Sequence, residues 1–343
     1  MGLMVCTGNL GQPRERFRRF ILTVCIAAIA EGEEQICVAT DAKAAFGDFS
    51  SDKGAVKHEH LGNGHITLIA GNDVVYALTV LAKAKKRIEN DGIRDSDATA
   101  EILYEELWSA RNQLIESKVL RKYGMTVQQF TEKGKKSFTD NVFYEICARI
   151  DRTELSLTFL LAGFDAKRVP HLRVVTAGEP PQNFDSIAFA AIGSGASAAL
   201  ASLSFAADHH GFGRHSDLHA STYHLLAAKY MAESATDVGH DTFFLSIGKR
   251  GSRMVHFTAD DAIRASWLKH GAPRDAKPTL QIIKDVLVET DKLFDREVLE
   301  KCLKYASGSN KRFCRILVDA MRRKAAMGAP SAPSAPRVLE GQK

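Results

Sequence analysis

With 343 residues, 45% of them hydrophobic and 25% charged, the chain has the composition of an ordinary globular protein and length for one to three domains, which excludes a low-complexity or fibrous chain. Its net charge of +5 is spread along the sequence, with basic clusters at residues 14–19 and 322–324 near the ends; with no basic stripe and no recognisable module, no nucleic-acid partner is expected. The six cysteines (6, 25, 37, 147, 302 and 314) form no CxxC pair, which argues for reduced thiols in a cytoplasmic protein rather than a disulfide framework.

Residues 1–22 have no periodicity and read as an N-terminal extension or propeptide. Residues 23–30 and 36–40 are short apolar runs joined by the polar stretch 31–35, the pattern of two buried strands in an antiparallel hairpin. Residues 47–54 read as a loop, Lys57 opens a third segment, and 66–70 is a strand stopped by Gly71. Helical spacing follows over 73–88, with cations towards its end, and over about 96–120. Thr126 and Gln129 form a capping-box pattern for a third, shorter helix. Residues 154–162, 171–176 and 187–192 read as strands, 178–181 as a turn, 196–206 and 221–234 as helices, and 242–247 with 254–257 as a closing hairpin. Strands, two helices, strands, two helices and strands predict an α+β chain, a four-layer αββα sandwich with helices outside two stacked sheets. Helical spacing at 280–305 and 313–321 predicts a helical C-terminal extension over 260–326, and the Pro/Ala/Ser tail 327–343 cannot build a core.

The order and spacing of several motifs resemble the proteasome β-subunit-like N-terminal nucleophile (Ntn) hydrolases. In that family a threonine begins the first strand, an Asp ends the second, and a Lys and a Gly follow at fixed intervals. Here Thr23 opens the first strand, Asp41 ends the second, Lys57 follows Asp41 by sixteen residues, and Gly71 follows Lys57 by fourteen. LLAGFD at 160–165 and AAIGSGASAALASL at 190–203 resemble the family's later strand and its Gly-Ser-Gly turn into a helix. The TVCIAAI opening and the YGMT segment at 123–126 look more like the bacterial homologues. The resemblance covers residues 23–251, so a proteasome-like domain is expected over 23–259.

The resemblance implies a threonine peptidase that needs no cofactor or metal. Its substrate would be a peptide or unfolded protein and its assembly a homo-oligomeric ring, with an ATPase as partner and no membrane. The Thr23 hydroxyl would be the nucleophile and its own α-amine, whose ordinary pKa is about 8, the base. The Lys57 ammonium would keep that amine neutral by like-charge repulsion, Asp41 would hold Lys57, the Gly71 N–H would meet the oxyanion, and Ser194 would support the amine. Counting back from Asp41 by the family interval lands on Cys25, so either the hairpin turn carries two extra residues or the nucleophile is a cysteine; the polar turn favours the former. Asp237 stands near a position where the family has a supporting Asp, although Val-Gly-His-Asp follows it in place of the usual Ser-Gly.

Two rival readings remain. A non-catalytic, proteasome-like assembly subunit would never unmask its threonine; Leu22 precedes Thr23, so its nitrogen is a peptide amide unless residues 1–22 are cut away or translation starts at Leu22. A secreted hydrolase would use the basic 14–19 and apolar 20–30 stretches as a signal ending in Ala-Ile-Ala, but those residues are also needed for the first strand. The histidines at 209, 210, 215, 219 and 224 are the densest cluster, and His215 and His219 have a zinc-compatible spacing, but no HExxH accompanies them and a polar surface is the better reading.

Overall fold

A computed structural model describes residues 23–42, 44–46, 49–51, 57–71, 74–235, 238–249, 251–255 and 257–270. Strands β1 (Cys25–Ala30) and β2 (Gln35–Asp41) form the expected hairpin, paired from Cys25 opposite Thr40 to Ala30 opposite Gln35. The turn is tight and strained: Glu31, Gly32 and Glu33 all have positive φ, of 50, 58 and 72°. Short strands β3 (Ala44–Phe46) and β4 (Phe49–Ser51) pair with each other, so part of the expected 47–54 loop is a strand. Next come β5 (His58–His60), β6 (His65–Gly71), α1 (Val74–Asp91) and α2 (Ser96–Ile115), the last capped by the Asp95 side chain accepting from Ala98 N–H.

Helix α3 (Val127–Ser137) begins at the expected capping box, with Thr126 and Gln129 satisfying each other's backbone N–H groups. Helix α4 (Asp140–Asp151) was not anticipated; it packs Ile146 with Phe130, Val119 and Leu120 in a small core of its own. Strands β7 (Leu157–Phe164), β8 (Pro170–Thr176), β9 (Glu179–Asn183) and β10 (Phe189–Ile192) follow. The presumed turn at 178–181 is thus mostly strand β9, an edge strand, the one place in a sheet where Pro180 and Pro181 are tolerated without a missing N–H bond. The described chain closes with α5 (Ala196–His210), α6 (Leu218–Ala232), β11 (Thr242–Gly248), β12 (Gly251–Val255) and α7 (Phe257–His270). The boundary expected between residues 259 and 260 falls inside α7, whose Ile263 is buried in the core. The expected C-terminal helices and tail lie outside the described residues.

The chain is mixed α and β; among the described residues there are two five-stranded antiparallel sheets, in the orders β10-β1-β2-β11-β12 and β5-β6-β7-β8-β9, beside the β3–β4 pair. Alternation along the strands sorts their side chains. Cys25, Ala27, Ile29, Ile36 and Val38 share one core cluster with Ile66, Leu68, Leu160 and Leu172 of the other sheet. On the opposite face Ile26, Ala28, Cys37 and Ala39 pack with Leu203, Leu225 and Leu226 of α5 and α6. In the second sheet Ile69, Phe159, Leu161 and Val175 pack with Leu81, Ile88, Leu103 and Leu107 of α1 and α2. Burial on both faces explains why β1 is a continuous apolar run rather than an alternating one. Among the described residues no helix is long and apolar enough to cross a membrane.

Candidate active site

Thr23, Asp41 and Lys57 meet. The hairpin register sets Val24 opposite the end of β2, where Asp41 N–H donates to the Val24 carbonyl at 3.2 Å, so the Asp41 carboxylate lies beside the first residues of the strand. Lys57 comes from the other sheet. It precedes β5, and its carbonyl accepts Ile69 N–H of β6 at 2.9 Å. Its ammonium donates to Thr23 Oγ1 at 2.5 Å and to Asp41 Oδ1 and Oδ2 at 2.8 Å each, while the Thr23 hydroxyl donates to Asp41 Oδ1.

The carboxylate is saturated. Oδ1 also accepts Val24 N–H at 3.0 Å, and Oδ2 accepts Gly239 N–H at 3.1 Å. All three side chains are buried, with exposures of 2% for Thr23, 0% for Asp41 and 9% for Lys57, so the group satisfies the rule that an interior ion pair persists only with its remaining lone pairs and protons occupied. The arrangement can hold the Thr23 oxygen in one place, with a fixed cation and anion on either side of it.

Ser194 is also at Thr23, on a different atom from the one expected. Its hydroxyl donates to the Thr23 carbonyl oxygen at 3.4 Å, and Gly195 N–H donates to the same oxygen at 3.2 Å. Gly193, with φ of 95°, leaves room for this approach, since a Cβ there would sit 2.2 Å from the Thr23 carbonyl oxygen. Gly71 ends β6 with φ of 136°, and a Cβ there would lie 2.0 Å from the Ser156 carbonyl oxygen, so the glycine is required by neighbouring backbone. Gly71, Gly193 and Ser194 all line a cleft of about 880 Å³ whose far wall is formed by α2 and the segment between α4 and β7.

Cys25, two residues after Thr23, is the first residue of β1, fully buried between the sheets, its thiol donating to the Ile69 carbonyl at 3.4 Å. Burial pushes that thiol up to about 12, which keeps it protonated at neutral pH, and it is Thr23 that stands against Lys57. Asp237 lies outside the described residues. His215 precedes α6, so it shares no helix with His219, and among the described residues no three His, Cys, Asp or Glu side chains converge as metal ligands.

Sequence reasoning missed the support behind Asp41. Lys229 of α6 is wholly buried, and its ammonium donates to the carbonyls of Gly239 and His240 at 2.9 and 2.7 Å and to Glu233. Burial lowers its pKa, and the charge of Glu233 opposes that shift. Arg264 of α7 bonds Glu233 at 2.6 Å and closes the network. A lysine within an otherwise apolar helix face was the available signal. No protein-family model matches the chain, and no curated protein matches it significantly.

Proposed function

We propose that this chain is a proteasome-like Ntn hydrolase, a four-layer αββα sandwich whose Thr23 hydrolyses peptide bonds through an acyl-ester. The observation that carries the reading is the buried contact of the Lys57 ammonium with both the Thr23 hydroxyl and the Asp41 carboxylate, from opposite sheets. The sandwich is supported by one core cluster shared between the sheets and one between each sheet and its helices.

In this reading the chain acts with Thr23 at its N-terminus. The free α-amine takes the proton from Oγ1 as that oxygen bonds to the substrate carbonyl carbon. The negative charge that develops on the carbonyl oxygen is met by the Gly71 N–H. The C–N bond then breaks, the amine returns the proton to the leaving nitrogen, and the acyl group stays on Oγ1. Water attacks the ester next, giving its proton to the same amine, and the acid leaves as Oγ1 is reprotonated. Lys57 disfavours a charge on the amine, and Asp41 fixes Lys57. The bonds from Ser194 and Gly195 to the Thr23 carbonyl hold the residue's backbone while its side chain reacts. A homo-oligomeric ring fed by an ATPase, acting on unfolded protein in the cytoplasm, completes the proposal.

A second reading has one observation in its favour. Leu22 precedes Thr23, and an amide nitrogen has no basic lone pair. A chain that keeps residues 1–22 is a non-catalytic, proteasome-like assembly subunit. N-terminal sequencing of the native protein with a fluorogenic-peptide assay separates the two. The enzyme reading expects Thr23 first and turnover abolished by Thr23→Ala with assembly unchanged; retention of residues 1–22 together with no turnover establishes the other.

A further inference from the structure

The cleft beside Thr23 holds charge that the proposed chemistry does not use. Its α2 wall presents Trp108, 40% exposed, and Arg111, half-buried. The Arg111 guanidinium lies 5.2 Å from the centre of the Trp108 ring, and it joins no ion pair among the described residues. The cleft is also lined by Asp151 and Glu154, both exposed, and neither pairs with Arg111.

We infer that Arg111, stacked on Trp108, is the specificity-determining residue of this cleft, and that it selects peptides carrying an acidic side chain. The inference rests on the peptidase reading of the same site. A guanidinium packed against an aromatic face has already lost much of its rotamer freedom and presents a planar fork that matches a carboxylate with two parallel hydrogen bonds. Cation–π contact leaves its N–H edges free for that partner. Asp151 and Glu154 favour cations, but exposed carboxylates are screened by solvent and weigh less than a preorganised, partly desolvated guanidinium. The cleft has room for a short stretch of peptide.

Binding and turnover are measured separately. The full chain is titrated with N-acetylated, C-amidated Ala-Glu-Ala, Ala-Gln-Ala and Ala-Lys-Ala, read through the fluorescence of Trp108 with Trp108→Phe as blank. The Glu peptide binds at least tenfold tighter than the other two; Arg111→Gln removes the difference, Arg111→Lys keeps only part of it, and Arg111→Glu turns the preference to the Lys peptide. Equal affinities for the three peptides, no binding, or a Glu preference that survives Arg111→Gln overturns the inference. Longer peptides with the same central residues are then given to the chain that begins at Thr23. Selective binding without turnover sinks the peptidase reading and leaves the cleft assignment standing; turnover without selectivity does the reverse.

Discussion

At the residue scale, the contact between Thr23, Asp41 and Lys57 was expected from the resemblance and its spacings, and the hairpin gives a physical reason for half of it. A hairpin fixes which residue ends beside the first strand, and its register brings Asp41 to Val24. The turn at 31–34 joins the strands in the register that pairs Cys25 with Thr40, and it is Thr23, not Cys25, whose side chain accepts from Lys57. The exact partner of Ser194 was not legible, since its bond runs to the Thr23 carbonyl, and no side-chain pattern reports a backbone acceptor. The energetic role of Lys57 is testable without any substrate. Lys57→Met leaves the Asp41 carboxylate buried without its cation, which costs about 3–5 kcal/mol by the usual behaviour of broken interior ion pairs. Denaturant unfolding should show that loss, and Asp41→Asn combined with Lys57→Met should lose clearly less than the sum of the single changes.

At the scale of elements, the core strands and α1, α2, α5 and α6 were readable from apolar runs and helical spacing, because each buries one or both faces in a cluster. Helix α4 and strand β9 were not. Most of the surface of α4 is open to solvent, with Ile146 its one fully buried side chain, so its apolar stripe is thin, and β9 is an exposed edge whose prolines resemble a turn. The tie between α6 and Asp41 is also a product of tertiary structure. Lys229 holds the carbonyls of Gly239 and His240, and Gly239 in turn donates to Asp41 across 198 positions of sequence. Lys229→Met frees that segment and leaves Glu233 to Arg264 and His240. It should reduce stability by about 3 kcal/mol and, in the active chain, lower kcat while leaving KM within about twofold, the pattern of lost positioning rather than lost binding. An unchanged kcat in folded Lys229→Met protein would remove Lys229 from the positioning role.

Across the whole molecule, stability should depend on pH through buried histidines. His65 is 2% exposed; burial and then the charge of His171 lower its pKa to about 4, and Nε2 sits 2.6 Å from Ser96 Oγ. His224 is lowered to about 4 by burial and by His210. Both folded values lie below the ordinary value of about 6.5, so the unfolded chain binds more protons between the two. Their contribution is complete above about pH 6.5 and is lost as pH falls through 4, at roughly 1.4 kcal/mol per pH unit for each group. His171 acts in the opposite sense. Its bond to Asp185 raises its pKa, so its contribution is complete below about 6.5 and is lost as pH rises through the raised value. Burial would raise Asp185, but His171, Arg173 and the Leu172 N–H outweigh it and bring it to about 2, so that carboxylate holds until stronger acid. Urea midpoints measured from pH 6.5 to pH 4 should therefore fall, and His65→Asn should flatten the slope. A midpoint that is level across this range contradicts the assignment.

The proposed chemistry requires Thr23 Oγ1 to be a nucleophile once its nitrogen is free. The direct measurement is intact-mass and peptide-mapping analysis of the chain beginning at Thr23 after exposure to a β-lactone, whose ring opens on attack and leaves its whole mass as an ester while the released alkoxide takes up a proton. One added lactone mass is expected, mapped to Thr23, absent from Thr23→Ala, from Lys57→Met and from the chain that still carries Leu22. Labelling that falls on another residue, or none on a chain whose N-terminal threonine has been confirmed by sequencing, contradicts it.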